Sequence, residues 1–470
     1  MIPERVHEIV SMTGKLCDRF QAAGKQLYLV GGTVRDLILG KSASVGVPGL
    51  PDAMPDLDFA TDARPDEIQA LVGGWADNVW IQGKQFGTIA ALKDGLRYEI
   101  TTYRAEVYNP GTRNPEVTFG DSLEEDLVRR DFTVNSMALS LPSLELIDPF
   151  GGVNDLAAGR LRTPSSPEKS FSDDPLRMLR AARLIAGYHL VPVDELVSAV
   201  SELAGRIEVV SRERIRDELD KLLVVNRPSS GLKFLVDTGL AGEFLPELPA
   251  LGLEQDPIHR HKDVLAHTLA VVDKSSPERL LRLAALFHDV GKPATRSFSS
   301  GGVSFYHHDV VGARMARMRM KQLRYSKEDI ETVSGLVELH LRFHTYRFGW
   351  TDSAVRRYVR DAGPLLSWLN ELTRCDCTTR DPDKARKLNL RMDELERRIE
   401  ELRLREELDA IRPDLNGVQV MEHLGIPPGH EVGEALSFLL ELRMDRGPLS
   451  ESEAYRELDE WWKHRTAPEY

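Results

Sequence analysis

The chain has 470 residues, 41% of them hydrophobic, and a formal net charge of −13. That length exceeds one hydrophobic core and points to about three units, and no run of about 18 apolar residues is present to span a membrane. Three cysteines, Cys17, Cys375 and Cys377, are too few for a disulfide framework and fit a reducing, cytoplasmic setting. The acidic balance argues against nucleic acid as a partner unless basic residues gather on local faces.

In chain order, MIPERVHEIVSMTGKLCDRF carries acids and lacks a continuous apolar stretch, so it reads as an amphipathic helix rather than a signal peptide. Between residues 27 and 103, apolar segments (LYLV, LDFAT, GTIAAL, RYEITTY) alternate with helical ones (TVRDLILG, RPDEIQALV), which predicts a small sheet with helices against it. Most of the Ser-, Gly- and Pro-rich stretch from Lys41 to Asp58 reads as a mobile loop, as does YNPGTRNPEVTFGD over 108–121. From about Phe171 apolar residues recur at three and four spacings, so the remainder is predicted almost entirely helical, with one long helix over 381–412.

GKS at Gly40-Lys41-Ser42 is not a P-loop, because the first required glycine is replaced by Arg35; HDVGKP at 288–293 fails at Pro293. Gly31 and Gly32 nevertheless follow a strand and precede a helix starting near Thr33, where bare backbone lets N–H groups approach a triphosphate. A tight turn alone would use the same pair. In PDLDF, Asp56 and Asp58 lie two apart on a predicted strand and share a face. Two such carboxylates repel unless a divalent cation joins them, and metals about 4 Å apart can activate an attacking hydroxyl and stabilise a leaving pyrophosphate. Exposed surface carboxylates are the ordinary explanation for Asp-x-Asp alone. RYEITTYR puts Glu99 on one face with Thr101, where Glu99 could add a third carboxylate.

LVGGTVRDLILG, DLDFAT, EEDLVRRDFTVNSMAL, IDPFGGVNDL and DDPLRMLRAARL follow one another in an order that resembles the class II tRNA CCA-adding nucleotidyltransferases, whose close relatives are bacterial poly(A) polymerases. The resemblance runs from about residue 25 through RERIRDELDKLL. It implies an α+β protein: an N-terminal nucleotidyltransferase (polymerase beta-like) α/β head followed by an all-α neck, body and tail that include an HD-type helical domain. The expected division is a head over 1–160, a neck with base recognition and RNA binding over 161–250, an HD-type body over 251–380 and a tail over 381–470. Position by position, it implies that Asp56 and Asp58 hold catalytic Mg²⁺ and that Gly31, Gly32 and Arg35 lie at the triphosphate. Arg129, Arg130, Asp131 and Asn135 would contact ribose and phosphate.

DDPLRMLRAAR places Asp174 and Arg177 three apart on a predicted helix, hence on one face. A carboxylate there accepts from an exocyclic amino group, and a guanidinium donates to the neighbouring ring nitrogen or carbonyl. Cytosine and adenine present an amino group beside an acceptor nitrogen; guanine and uracil present a carbonyl beside an N–H. One Asp–Arg pair would therefore admit C and A without a nucleic-acid template. An ordinary helical salt bridge is the competing explanation. The family element is Glu-Asp-x-x-Arg, and here Asp173 replaces its Glu. Arg180 and Arg183 continue the face toward phosphate or solvent.

In HRHKDVLAHTLAVV and RLLRLAALFHDVGKP, His288 and Asp289 end an apolar helix, an unfavourable place for polar groups unless they are paired or ligating. The pattern resembles the HD phosphohydrolase superfamily, which implies a second divalent metal at His267, His288, Asp289 and Asp376. His308 and His340 fall where two-metal members carry extra ligands; His259, His261, His307 and His344 compete for the assignment. Cys375 and Cys377 flank Asp376 and read as partly buried thiols. Arg314, Arg317, Lys321 and Arg324 form one helical stripe suited to tracking an RNA backbone, or to being a solvated face. Pro427-Pro428-Gly429 marks a turn between helices.

The resulting expectation is a CCA-adding enzyme acting on the tRNA 3′ acceptor end with CTP, ATP and Mg²⁺, and no membrane. The alternatives are a poly(A) polymerase, a CC-only or A-only enzyme, and an HD phosphohydrolase whose head only binds nucleotide.

Overall fold

The computed structural model describes residues 4–40, 56–107, 116–120, 122–253, 263–299, 302–346, 349–377, 381–406 and 411–466. It divides into two compact units, one of Met1–Leu286 with Met318–Lys327 and one of Phe287–Arg317 with Glu328–Tyr470.

The first unit opens with helix α1 (Glu4–Ala22), strand β1 (Leu27–Val30), α2 (Gly32–Ile38), β2 (Asp56–Thr61) and α3 (Pro65–Val72). Then come β3 (Asn78–Trp80), β4 (Thr88–Lys93), β5 (Leu96–Thr102), the hairpin β6 (Arg104–Val107) and β7 (Glu116–Phe119), α4 (Leu123–Val128), β8 (Ala138–Leu141) and β9 (Leu146–Ile147). One mixed sheet has the order β3-β4-β5-β2-β1-β8-β9, with β2 and β5 parallel at its centre. Strand alternation sorts its residues. Leu57 and Phe59 of β2, with Tyr98 and Ile100 of β5, join Ile9, Leu16, Phe20 and Ile68 in a core beneath α1 and α3. The intervening Asp58 and Glu99 project from the opposite face, where Val30, Ala60, Tyr103, Leu127 and Ala138 form a smaller cluster. The stretch expected as a loop over 108–121 contains strand β7, because Glu116–Phe119 completes a hairpin with β6.

The same unit continues through α5 (Gly152–Ala157), α6 (Pro167–Asp173), α7 (Leu176–Tyr188), α8 (Asp194–Leu203), α9 (Arg212–Leu223), α10 (Ser229–Asp237), α11 (Leu240–Phe244), α12 (Val264–Lys274) and most of α13 (Arg279–Phe287). Helix α7 buries Met178, Leu179, Ala182 and Ile185 at three and four spacing and packs on α9 and α10.

The second unit holds α14 (Lys292–Thr295), most of α15 (His308–Gln322) and of α16 (Lys327–Leu339), α17 (Asp352–Ala362), α18 (Leu366–Asp376), α19 (Pro382–Arg405), α20 (Gly417–Leu424), α21 (His430–Arg446) and α22 (Glu451–Thr466). An antiparallel hairpin, Arg296–Ser299 with Gly302–Phe305, interrupts the region expected to be helical. The long helix expected over 381–412 ends at Arg405; Met392, Leu395, Ile399 and Leu402 supply its buried stripe. The Pro427-Pro428-Gly429 turn separates α20 from α21. The architecture is thus a mixed-sheet head followed by helices, as the sequence implied. No described helix is long and apolar enough to cross a membrane.

Candidate active site

The turn between β1 and α2 is built on Gly31, whose φ of +74° an L side chain adopts only with strain. Space is tight there as well: a Cβ on Gly31 would lie 3.2 Å from Arg130 Nη1 and 3.4 Å from Asp58 Oδ2, so one of them would have to give by a few tenths of an ångström. The glycine turn, an aspartate and an arginine of three different segments therefore meet at one point. Asp58 is also in register with Glu99 across the parallel β2–β5 pair, and Glu99 takes an ion pair from Arg97 at 2.5 Å. The backbone of Asp56 is in register with Arg97; its side chain lies outside the described residues.

Arg130 is held by Asp126, a fully buried carboxylate at the end of α4 that also binds Arg129 (2.8 Å to Arg129 and 3.0 Å to Arg130). Burial raises the Asp126 carboxyl, but the two guanidinium groups outweigh that and keep it below the ordinary value. Arg35 does not reach out from α2. Its guanidinium donates to Asn135 Oδ1 (2.6 Å), Asp36 and the Tyr188 hydroxyl (2.5 Å), packing under Gly32. Asn135 Nδ2 donates to Asp131 Oδ1 (3.0 Å), and Asp131 Oδ2 pairs with Arg180 (2.8 Å). Burial opposes the Asp131 charge, yet Arg180 and Asn135 hold its pKa down. Gly32, Arg35, Asn135, Asp131 and Arg180 thus form one chain of contacts. Arg180 pairs with Asp131 while its side chain stays partly exposed, and Arg183 pairs with Glu218.

Asp174 and Arg177 do not share a helix face. Asp174 sits in the break between α6 and α7 with extended backbone (φ −139°, ψ 99°), because Pro175 follows it and disfavours a helical conformation. Its carboxylate accepts from the Leu176 N–H (3.2 Å) and from Arg214 Nη2 of α9 (3.0 Å). Arg177 is buried and donates to Ser170 Oγ (2.9 Å) and to the Arg129 carbonyl (2.5 Å). No salt bridge between Asp174 and Arg177 is formed among the described residues; the two are linked through backbone, Arg177 N–H to Asp174 O at 3.0 Å. Asp173 closes α6.

In the second unit, Asp289, His308 and His340 are buried, with one ligand atom of each within 4.8 Å of the others. His308 Nδ1 faces the Phe305 carbonyl at 2.7 Å and His340 Nδ1 the Val337 carbonyl at 2.6 Å. A nitrogen against a carbonyl oxygen must carry the proton, so in each neutral ring Nε2 is a bare acceptor. Both Nε2 atoms are buried without a hydrogen-bond partner, and that of His308 stands 3.4 Å from Asp289 Oδ1. Acceptors converging on one point fit a cation, and a ring N–H donated to a backbone carbonyl is how metal-ligating histidines are held. His288 Nε2 lies 3.3 Å from Asp289 and 3.6 Å from Asp376, while Lys292 Nζ reaches Asp289 Oδ2 at 2.6 Å. Burial, then the nearby His288, push His340 down to about 4, so its ring is neutral. His267 is half-buried on α12 of the first unit, His259 and His261 lie outside the described residues, and exposed His307 is not in the cluster. Cys375 is buried and Cys377 half-buried.

Three family models match in order: poly A polymerase head domain over residues 27–162, probable RNA and SrmB-binding site of polymerase A over 194–251, and HD domain over 263–398. A CC-adding tRNA nucleotidyltransferase from Thermus thermophilus is 34% identical over 459 residues, 93% of this chain and 94% of that protein. The chain belongs to the tRNA nucleotidyltransferase family. A second member, an A-adding tRNA nucleotidyltransferase from Deinococcus radiodurans, is 33% identical over 80% of this chain and 91% of its own. The CCA-adding enzyme of Limosilactobacillus reuteri is 39% identical, but that match spans 47% of this chain and 51% of the relative, about half of each. The crystal structure of the Bacillus stearothermophilus CCA-adding enzyme in complex with CTP superposes with a TM-score of 0.70 over 97% of this chain and 98% of that one; at 24% identity the likeness is one of fold.

For a tRNA nucleotidyltransferase-family chain, the residues that sequence reasoning missed are mostly supports. Asp126 is recoverable from its spacing, since Arg129 and Arg130 fall three and four residues later on one helical turn. Tyr188, whose ring stacks under Arg35 at 3.9 Å, and Arg214 carry no local signal, whereas Lys292 falls three residues after Asp289. The partners of Tyr188 and Arg214 lie 153 and 40 residues away.

Proposed function

We propose that the protein adds C, C and A to the 3′ end of tRNA from CTP and ATP without a nucleic-acid template, releasing pyrophosphate. The supporting observation is the meeting of Gly31, Asp58 and Arg130, with Glu99 in register beside Asp58. Carboxylate oxygens are the donors that Mg²⁺ prefers, and Asp56 with Asp58 would hold it. Bound there, Mg²⁺ would lower the pKa of the tRNA 3′-hydroxyl and neutralise charge on the departing pyrophosphate. Arg130, beside the Gly31 turn, would pair with the triphosphate. Arg35 supports that turn from below and passes its hold through Asn135 to Asp131 and Arg180. Phosphoryl transfer rests chiefly on such positioning and charge stabilisation.

Selection of C and A is assigned to Asp174 and Arg177. Arg177 is fixed by Ser170 and the Arg129 carbonyl, so its remaining N–H groups have a set direction, and Asp174 is presented by an extended residue with one oxygen toward Arg214. The four-part division into head, neck, body and tail is the organisation we assign to this activity. Asp58→Ala should abolish incorporation of labelled CTP and ATP into tRNA lacking its CCA end while leaving the melting temperature within a few degrees; retained incorporation would remove the head from the reaction.

A second reading is carried by the bare Nε2 atoms of His308 and His340 beside Asp289. These residues would hold a divalent metal that supplies a metal-activated water for hydrolysing phosphate esters. Hydrolysis of 2′,3′-cyclic phosphates by wild type and by His308→Ala tests it, and equal rates would rule it out.

A further inference from the structure

The chain carries a charge of −13, yet one hollow of about 700 Å³ in the first unit is walled by cations. Its lining includes Arg212 from the start of α9, Lys321 from the end of α15 and Arg324 just past it. Three acids of the same elements are engaged elsewhere, Asp217 with Arg216 (2.8 Å), Asp220 with the Tyr325 hydroxyl (2.6 Å) and Glu247 with Arg319 (2.9 Å), while Glu213, beside Arg212, is exposed. Among the described residues, no hydrogen bond or ion pair occupies the side chains of Arg212, Lys321 or Arg324.

The backbone gives a second, independent observation. Helix α15 ends in a reciprocal cap, with Tyr325 N–H bonded to the Met320 carbonyl (3.1 Å) and Arg324 N–H to the Lys321 carbonyl (3.1 Å). That cap requires a left-handed residue, usually glycine. Here it is Arg324, at φ +63°. A long cationic side chain is thus held in a conformation that disfavours it, at the rim of a cationic hollow, and strain retained in this way marks functional positions. The wall is also rigid. Arg216 Nη1 donates to the Arg324 carbonyl (2.6 Å), and Tyr325 is anchored on buried Asp220.

We propose that this hollow seats phosphodiester groups of the tRNA backbone, through Arg212, Lys321 and Arg324. The inference rests on the proposed tRNA substrate and adds where an acidic protein grips it. It also divides the basic stripe read from the sequence, assigning the contact to its Lys321–Arg324 end. Each lost phosphate contact removes about 1 from the slope of log K against log salt.

The test measures affinity for a tRNA transcript lacking its CCA end across a salt series, alongside CTP affinity and melting temperature, for wild type, Arg212→Ala/Lys321→Ala and Arg324→Gly. The expected result is a slope lowered by about 2 in the double variant and about 1 in Arg324→Gly, with CTP affinity unchanged. Because glycine suits the left-handed position, Arg324→Gly should melt no lower than wild type, so its lost affinity cannot come from unfolding. Wild type that fails to bind the tRNA overturns the underlying reading. Wild-type binding matched by both variants at the same slope overturns only the hollow, as does a parallel loss of CTP affinity.

Discussion

Gly31 shows how closely one position can be determined. Its positive φ and the nearness of Arg130 and Asp58 are separate reasons against any side chain. Gly31→Ala should therefore cost about 1–3 kcal/mol of stability from the backbone alone, because φ +74° with ψ −145° is nearly restricted to glycine, and lower kcat/KM for CTP by up to about 100-fold through displacement of Arg130 or Asp58. Thermal melting and single-nucleotide incorporation measure the two effects; an alanine variant with wild-type kinetics would show that the turn is not at the reacting site. The glycine pair, Asp58 and Arg130 were all legible in the sequence, because motif order and strand alternation place them. The setting of Asp174 was legible too, though by a different rule from the helical spacing first applied: it precedes Pro175, and a residue before proline leaves the helix. What spacing could not show was that Arg177 would turn to Ser170 and the Arg129 carbonyl while Asp174 turned to Arg214, since those partners come from other elements.

At the scale of elements, buried charge decides how α9 behaves. Burial raises the Asp220 carboxyl from 3.8 to about 6, against the opposing pull of the Tyr325 hydroxyl and Arg279. The folded state therefore holds this proton more tightly than the unfolded chain does. Its contribution to stability is full below about pH 4 and is lost as pH rises through 6, a difference of about 3 kcal/mol. Asp220→Asn should flatten the stability profile between pH 4 and 7, as read by urea unfolding across that range; a variant profile as steep as wild type would contradict it. Elements were easiest to foresee where periodicity is strong, as in α7 and α19. They were missed at two hairpins: β7 exists because β6 lies beside it, and Arg296–Ser299 pairs with Gly302–Phe305 within a region whose spacing is otherwise helical.

At the scale of the whole molecule, the two candidate sites fall in different units, Gly31, Asp58 and Arg130 in the first and Asp289, His308 and His340 in the second. Bare imidazole nitrogens beside Asp289 in the second unit should take up Mn²⁺, raising the stability of that unit by about 2.7 kcal/mol at a hundredfold excess over Kd. His340→Ala should lose this shift in calorimetry yet keep nucleotide incorporation; an undiminished shift would show that the metal binds elsewhere. Full-length similarity reaches both a CC-adding and an A-adding relative, so membership of the family does not fix the product.

The most direct measurement is the product itself. The purified protein is incubated with a tRNA transcript ending before CCA, with CTP alone, ATP alone and both, and the RNA is resolved at single-nucleotide length. The account predicts two additions with CTP alone and growth by C, C and one A with both nucleotides, all lost in Asp58→Ala. A stop after CC with both present, addition of A only to RNA already ending in CC, or a long A tail would contradict it.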